Sequence, residues 1–538
     1  MSLSMDFGTC NSVIARRNEG DGRIDVVHLA GLSQKYPYRP SPGEEEKTSS
    51  VVPSLIHYGE NNHTLLGAQV ISEGELDHDA TFRWIKLDML RDNNKFRRVR
   101  ERRISFRQAA DDLLSRLITF AMGSVETAEE KLVLTVPVES FDHYVDWLQG
   151  VAASVFNGDI RILDEATACI LGYQNSVRDG NIYSVFDFGG GTLDISIVRV
   201  HFQAAGNQKC VVLGRAGEEL GGKNVDNWLL ERLIAEEKLS GDDLEGVGMP
   251  LMTCMENAKI ALSGCERKYD ITQLNDQTGT LISHAFTRDD LADIFRKKEF
   301  YRIIAATIDR ALGMAASKYN VKKDEIRGVF MVGGSSLLLG VRDMVRNAFP
   351  NAPVYCEQPF EAIARGACCY AGDGIPLPLV HDYCLKGWDR QVKEFKYVTV
   401  VPSGTNYPTD GHICAKYIAS GVDNAETLGL VIYEKSEMAL PGDGVIVGPD
   451  GEVSIDRSSV RKSDKIRPLN PEDREFLHAV PPCSSGQKGR FVAAFGIDQN
   501  KRLTLSLKDT DTGNGSYIVT RQNKKIPLPL KDYPLVKI

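Results

Sequence analysis

Apolar positions in residues 184–198 fall into two runs separated by a bare turn. Ser184-Val185-Phe186-Asp187-Phe188 reads as a buried strand and Gly189-Gly190-Gly191 as the turn. Thr192-Leu193-Asp194-Ile195-Ser196-Ile197-Val198 then alternates apolar and polar residues, so the stretch predicts a β-hairpin. Met5-Asp6-Phe7-Gly8-Thr9-Cys10-Asn11-Ser12-Val13-Ile14-Ala15 repeats the Asp-Phe-Gly turn between apolar strands near the N-terminus. A third apolar strand, residues 328–332, runs into Gly333-Gly334-Ser335-Ser336 and then an amphipathic helix over 338–349.

The same patterns predict strands at 24–29, 50–56, 132–137 and 160–163. Helices are predicted over 105–128, from there to about 157, and over 224–239, 251–263 and 287–318. In the 105–128 helix, Ala109, Leu113, Leu117 and Phe120 share the apolar face. Residues 33–50, rich in Pro, Ser and Glu, read as a loop, and 76–104 as a helical stretch rich in Arg and Lys. Residues 374–382 combine Gly374, Pro376 and Pro378 with Ile375, Leu377 and Leu379, which predicts an extended apolar linker. From 383 onward the runs shorten to strands near 395–401, 428–433, 492–497, 503–507 and 517–520. That pattern predicts an all-β sandwich with a polar insertion at 436–475.

Glycines leave backbone N–H groups uncovered, so an anion such as a phosphate can approach closely. Asp187 and Asp194 flank that approach, and two carboxylates beside a phosphate repel it unless a hard cation such as Mg²⁺ lies between. Taken alone, residues 184–198 also suit an ordinary glycine-rich hairpin. The second copy at Asp6 points to two similar halves closing on one phosphate chain.

Composition narrows the class. The chain has 538 residues, 42% hydrophobic and 25% charged, which predicts two to four globular domains. Net charge is −9. The densest basic run, Arg97-Arg98-Val99-Arg100-Glu101-Arg102-Arg103, reads as the solvated face of a helix and not as a nucleic-acid surface. Eleven cysteines lack paired metal spacing and read as reduced thiols of a cytoplasmic protein. The sequence enters a strand almost at once and holds no long apolar run, so neither signal peptide nor membrane span is expected.

The three glycine turns resemble the phosphate-1, phosphate-2 and adenosine motifs of the actin/hexokinase/heat-shock ATPase superfamily. Within it the chain is similar to the 70-kDa heat-shock (DnaK-type) chaperones. Leu163-Asp164-Glu165-Ala166-Thr167-Ala168, Glu219-Leu220-Gly221-Gly222-Lys223-Asn224-Val225-Asp226-Asn227 and Glu361-Ala362-Ile363-Ala364-Arg365-Gly366-Ala367 add matches in the family's order. The resemblance is good over 5–373 and looser over 383–520. It implies an α/β actin-like two-lobed nucleotide-binding domain over 1–373, a linker over 374–382, and a β-sandwich peptide-binding domain over 383–538 without a helical lid.

It also implies ATP/ADP and Mg²⁺ as cofactors. Asp6, Asp187 and Asp194 would arrange the metal, with Glu165 joining that network. Thr9 and Thr192 would offer hydroxyls near the terminal phosphate, giving a catalytic set of Asp6, Glu165, Asp187 and Thr192. Gly8, Thr9, Cys10, Gly189, Gly190, Gly191, Gly333, Gly334 and Ser335 would cradle phosphates and nucleoside, with Gly221 and Gly222 as a further phosphate contact. Glu256, Lys259 and Ser263 match an adenine-contacting helix. The implied partners are unfolded or extended peptide segments and co-chaperones. Residues 217–224 nearly form a Walker A motif, but Asn224 stands where Ser or Thr would hold the metal, so they are read as the family's Leu-Gly-Gly motif.

Three departures matter. A catalytic lysine is implied a few residues after Gly67, where Ala68-Gln69-Val70-Ile71 has none; Lys86 is the nearest downstream. Ile260 and Leu337 replace arginines that stack on adenine. The leading reading is therefore a chaperone-like ATPase with barely detectable hydrolysis. The alternative is a degenerate, non-hydrolysing pseudo-ATPase adaptor. A small-molecule kinase on the same fold has no use for the C-terminal β-domain.

Overall fold

A computed structural model of the chain describes all residues except 1, 19, 40–44, 61–62, 92–94, 124–130, 139, 203–207, 371–376, 380, 390–393, 419, 421–422, 436–443, 448–452, 457–465, 471–475, 485–488, 512–514, 521–522 and 536–538. It divides into two compact units. One comprises Met1–Val138, Leu148–Gly374 and Ala439–Arg461; the other comprises Glu139–Trp147, Ile375–Met438 and Lys462–Ile538. Residues 374–376 and 380 of the linker and most of the 436–475 insertion lie outside the described residues.

The first unit is mixed α/β and carries two sheets built alike. In one, Ser2–Asp6 pairs antiparallel with Asn11–Arg17 and parallel with Lys131–Val136. In the other, Ile182–Phe188 pairs antiparallel with Leu193–Phe202 and parallel with Ile326–Val332. Each Asp-Phe-Gly hairpin thus sits at the middle of a sheet, and its apolar residues, among them Leu3, Met5, Phe186, Ile195 and Ile197, are fully buried. Covering both faces of such strands explains their near-continuous apolar runs.

Two helices stand between the sheets. Glu165–Gly172 packs against strands of both, and Ala362–Tyr370 packs on the N-terminal sheet. They meet without intervening side chains. A Cβ at Gly366 would lie 1.7 Å from the carbonyl oxygen of Ala168, and one at Gly172 would lie 2.1 Å from that of Ala362.

Several local expectations are corrected. Residues 33–50 hold two paired strands, Gln34–Tyr38 and Lys47–Pro53. Residues 76–104 form no single helix: a short helix, Ile85–Leu90, precedes the hairpin Phe96–Val99/Arg102–Ser105. Nor is the basic run a solvated helix face. Arg97 is buried over Phe82 and donates to the carbonyls of Asp79 and Thr81, both at 2.7 Å. Alternating burial along Phe96–Val99 is a two-residue period, which won over the helical propensity of Arg. In helix Phe106–Gly123, Ala121 is buried and Phe120 is half exposed. Residues 287–318 split into Arg288–Lys297 and Phe300–Tyr319, with Glu299 left-handed between them. Among the described residues no helix is long and apolar enough to cross a membrane.

The second unit is β-rich, with three four-stranded sheets. Its core includes a polar knot. The Asp142 amide donates to Glu434 Oε2 at 2.9 Å, and the Tyr383 hydroxyl donates to Asp142 Oδ1 at 2.8 Å. Burial pushes the Asp142 carboxyl up to about 6, against the opposing pull of Tyr383, Lys501 and Arg502. Burial also raises Glu434, and the neighbouring Asp142 adds to it. Raised carboxyls favour the protonated form in the fold. Their stabilisation is fully present below the ordinary value of 3.8 and is lost as pH rises through about 6.

Two outcomes follow from these contacts. Gly366→Val should destabilise the first unit by on the order of 3 kcal/mol or more, measured by urea unfolding, because no rotamer avoids the Ala168 carbonyl. As pH rises from about 4 through about 6, Glu434→Gln should lose less stability than the parent in thermal or urea melts. Equal slopes in the two proteins would show that the knot does not titrate in this range.

Candidate active site

The first unit contains a cleft of about 1060 Å³. The N-terminal strand delivers Asp6 to it, and Thr135 Oγ1 donates to Asp6 Oδ1 at 2.9 Å. The second hairpin delivers Asp187, directly across the ladder from Asp194. Glu165 begins helix Glu165–Gly172, whose cap Asp164 accepts from the Thr167 amide at 2.8 Å. Helix Ile85–Leu90 begins after Trp84, held left-handed at φ 57°, and brings in Lys86. Lys86 Nζ donates to Glu165 Oε1 at 2.9 Å, and both groups are buried.

Like charges crowd this end of the cleft. Burial raises the carboxyls of Asp6, Glu165 and Asp187. Glu165, Asp194 and Asp6 push Asp187 up further, while Lys86 pulls all three down. One ammonium does not neutralise four carboxyl groups. The donor set therefore fits a hard divalent cation, which takes oxygen ligands.

The glycine turns are laced together beside the acids. Ser335 Oγ donates to the Gly189 carbonyl at 2.7 Å, and the Gly222 and Lys223 amides donate to the Gly189 and Gly190 carbonyls at 3.2 and 2.9 Å. A Cβ at Gly190 would fall 2.5 Å from Cys10 Sγ, so the first and second turns touch. Among the described residues, the amides of Thr9, Cys10, Gly190 and Gly191 donate to no backbone carbonyl in the turns. These amides and the bare glycines suit phosphate oxygens. The buried Ser263 hydroxyl, also in the cleft, has no partner among the described residues, as expected of a group that awaits a ligand.

Of the residues singled out from sequence, Asp6, Gly8, Thr9, Cys10, Glu165, Asp187, Gly189, Gly190, Thr192, Gly222, Glu256, Lys259, Ser263, Gly333, Gly334 and Ser335 line the cleft. Asp194, Gly191 and Gly221 do not. Asp194 backs Asp187, Gly191 packs on Leu87, and Gly221 abuts the Gly190–Gly191 backbone. Lys259 pairs with Asp226 at 2.9 Å and Glu256 with Arg83 at 2.9 Å. Burial alone would lower the Lys259 ammonium, but Asp226 and Glu256 outweigh it and raise it. Lys223 stands 4.1 Å over the Trp84 ring, and Asn224 Oδ1 accepts from the Gly221 amide at 2.8 Å, so neither acts as a Walker A residue.

Lys86 is the main correction. A lysine, Lys86, reaches the carboxylates from the helix after Trp84, not from the segment after Gly67. Its signal in the sequence is a lone cation inside the apolar run Trp84-Ile85-Lys86-Leu87. Sequence reasoning also missed Arg267, Arg288, Arg342 and Arg346, which line the same cleft as Ile260 and Leu337.

Residues 103–386, just over half of the chain, match the Hsp70 protein family model. The chain belongs to the Hsp70 family. Its members are ATP-binding chaperones. The chain is also 24% identical to the chaperone protein HscA homolog of Polynucleobacter asymbioticus, over 96% of this chain and 77% of that protein. In this Hsp70-family chain, Lys86→Met should leave Glu165 and Asp6 without their cation. The expected loss is about 3 kcal/mol by urea unfolding near neutral pH without nucleotide. The loss should shrink on acidification as the carboxyls take up protons.

Proposed function

We propose that the cleft binds ATP or ADP with Mg²⁺ and hydrolyses ATP slowly, and that nucleotide state governs the holding of extended apolar peptide segments by the second unit. The supporting observation is the convergence of both acidic hairpins with the buried Lys86–Glu165 pair in one cleft. Asp6 and Asp187, backed by Asp194, would hold the metal through its waters. When bound, Mg²⁺ supplies charge neutralisation for the phosphates.

The chain's own residues do the rest. Amides of the first two glycine turns bind phosphate oxygens. Thr9 and Thr192 place hydroxyls beside them. Lys86, oriented by Glu165, holds its ammonium where charge develops and faces the same cleft as both aspartates. On the nucleoside side Ile260 and Leu337 pack as apolar surfaces, and Ser263 and Lys259 offer polar contacts. Peptide holding is supported by exposed apolar side chains in the second unit, among them Phe395, Tyr397, Val398, Ile413 and Tyr417. Phe395, Tyr397 and Val398 lie on Glu394–Val401, which is an edge strand. Edge strands offer unpaired backbone groups that an extended peptide can extend. Co-chaperones are partners that the same reading brings with it.

Single-turnover hydrolysis of labelled ATP tests the enzyme half of the proposal. Lys86→Ala should retain nucleotide binding and lower the rate by about 10²–10³, as for other single electrostatic donors. Asp187→Asn should abolish Mg²⁺-dependent turnover. Turnover indifferent to Asp187→Asn would overturn the metal assignment, and binding without turnover in the parent would favour the adaptor reading. Fluorescence anisotropy with short apolar peptides, with and without ATP, tests the other half; no binding in either state would overturn it.

A further inference from the structure

A second cluster of ligating side chains lies in the first unit, outside the cleft. His57 on strand Ile56–Tyr58, and Glu75 and His78 on the segment leading to Thr81, each direct one ligand atom to a common point. These atoms all lie within 4.8 Å of one another. His57 is buried, Glu75 is half-buried and His78 is exposed, so the site is anchored from inside and open to solvent.

Hydrogen bonding fixes the state of His57. Thr81 Oγ1 donates to the Glu75 carbonyl at 2.5 Å. Its oxygen is therefore the acceptor for His57 Nδ1, 2.9 Å away, and Nδ1 carries the ring proton. The other nitrogen, Nε2, is left with a lone pair, and it faces Glu75 Oε2 at 3.7 Å. Two acceptors face each other across a gap that a cation would bridge. A proton on Nε2 is the simplest such cation, but burial of the ring disfavours its charged form. An imidazole that donates its far N–H to a protein oxygen is also the usual arrangement of a metal-bound histidine.

From this geometry we infer that His57, Glu75 and His78 form a binding site for a divalent transition ion of the zinc class, with water completing the coordination. Two imidazoles and one carboxylate suit zinc, whose tetrahedral sites set ligand atoms roughly 3.3 Å apart. The His57–Glu75 spacing is already close to that. His78 needs the larger adjustment. The Ala80 amide donates to its Nδ1 at 2.9 Å, so loading exchanges that bond or its far proton for the metal. The site differs from the carboxylate cleft in ligand type, since imidazole selects against Mg²⁺. It also sits on a segment tied to the cleft: Thr253 Oγ1 donates to Asp77 Oδ1 at 2.6 Å, and Arg83 reaches Glu256 at 2.9 Å.

Direct metal titration of the purified full-length chain tests the inference. Zn²⁺ binding is followed by competition with a chromophoric chelator, and Co²⁺ by its visible absorption. Cobalt bound here shows the bands of a low-coordinate nitrogen–oxygen site, without the near-ultraviolet charge transfer that a cysteine ligand produces. Glu75→Gln and His78→Gln change side chains that are not fully buried, and each should weaken binding ~10–100-fold. His63→Gln, an exposed neighbour, should not. Zn²⁺ should also raise the melting temperature of the parent and of His63→Gln, but not of His78→Gln. Binding left unchanged by both ligand substitutions, or no zinc-dependent melting shift in the parent, would overturn the site and show that a proton bridges His57 and Glu75.

Discussion

Everything in the first unit answers to one electrostatic problem. Asp6, Glu165, Asp187 and Asp194 come from four separate elements; Glu165 and Asp194 are buried, Asp6 and Asp187 partly so, and Asp6, Glu165 and Asp187 line the cleft. Such a group repels itself in a poorly solvated space. Lys86, hydrogen-bonded to Glu165, is the cation that draws on Asp6, Glu165 and Asp187. That imbalance suits a hard divalent cation. A fully neutralised cluster would be a structural salt bridge and nothing more.

The glycine turns solve the neighbouring problem, which is crowding. Three loops from distant parts of the chain approach within contact of one another; a side chain at Gly190 or Gly333 would collide with Cys10 or Phe188 respectively, and one at Gly222 would press on Lys259 and Ser335. Bare backbone keeps the amides reachable while Ser335 and the Gly222 and Lys223 amides bind the loops through their carbonyls. The carbonyls of Gly189 and Gly190 hold the loops together, while the amides of Thr9, Cys10, Gly190 and Gly191 donate to no backbone carbonyl among the described residues.

Much of this was legible in the sequence because the hairpins carry their own signal. Asp187 and Asp194 flank a glycine run between alternating strands, and the repeat at Asp6 announces the second sheet. The sequence marked Lys86 only as the nearest lysine downstream of Gly67, and the reason is tertiary. Lys86 reaches Glu165, 79 residues away, through a left-handed Trp84 that no periodicity marks. Arg97 misled in the opposite direction. A row of arginines reads as a wet helix until Phe82 and Phe106 take one of them into a buried cation–π contact. The polar knot at Asp142 joins residues nearly three hundred positions apart, and neither carboxylate looks unusual in its local context.

The meeting of Gly172 with Gly366 has a mechanical consequence. Interlocked side chains act as gear teeth and resist rotation, whereas two backbones in direct contact present smooth surfaces and act as a pivot. The helix that ends at Gly172 begins at Glu165. Any rocking of one sheet against the other about this fulcrum would swing Glu165, at the far end of a two-turn lever, across the acidic corner while the pivot itself stays still. A rotation between the two sheets would thus be read out as a displacement of the Glu165 carboxylate that pairs with Lys86.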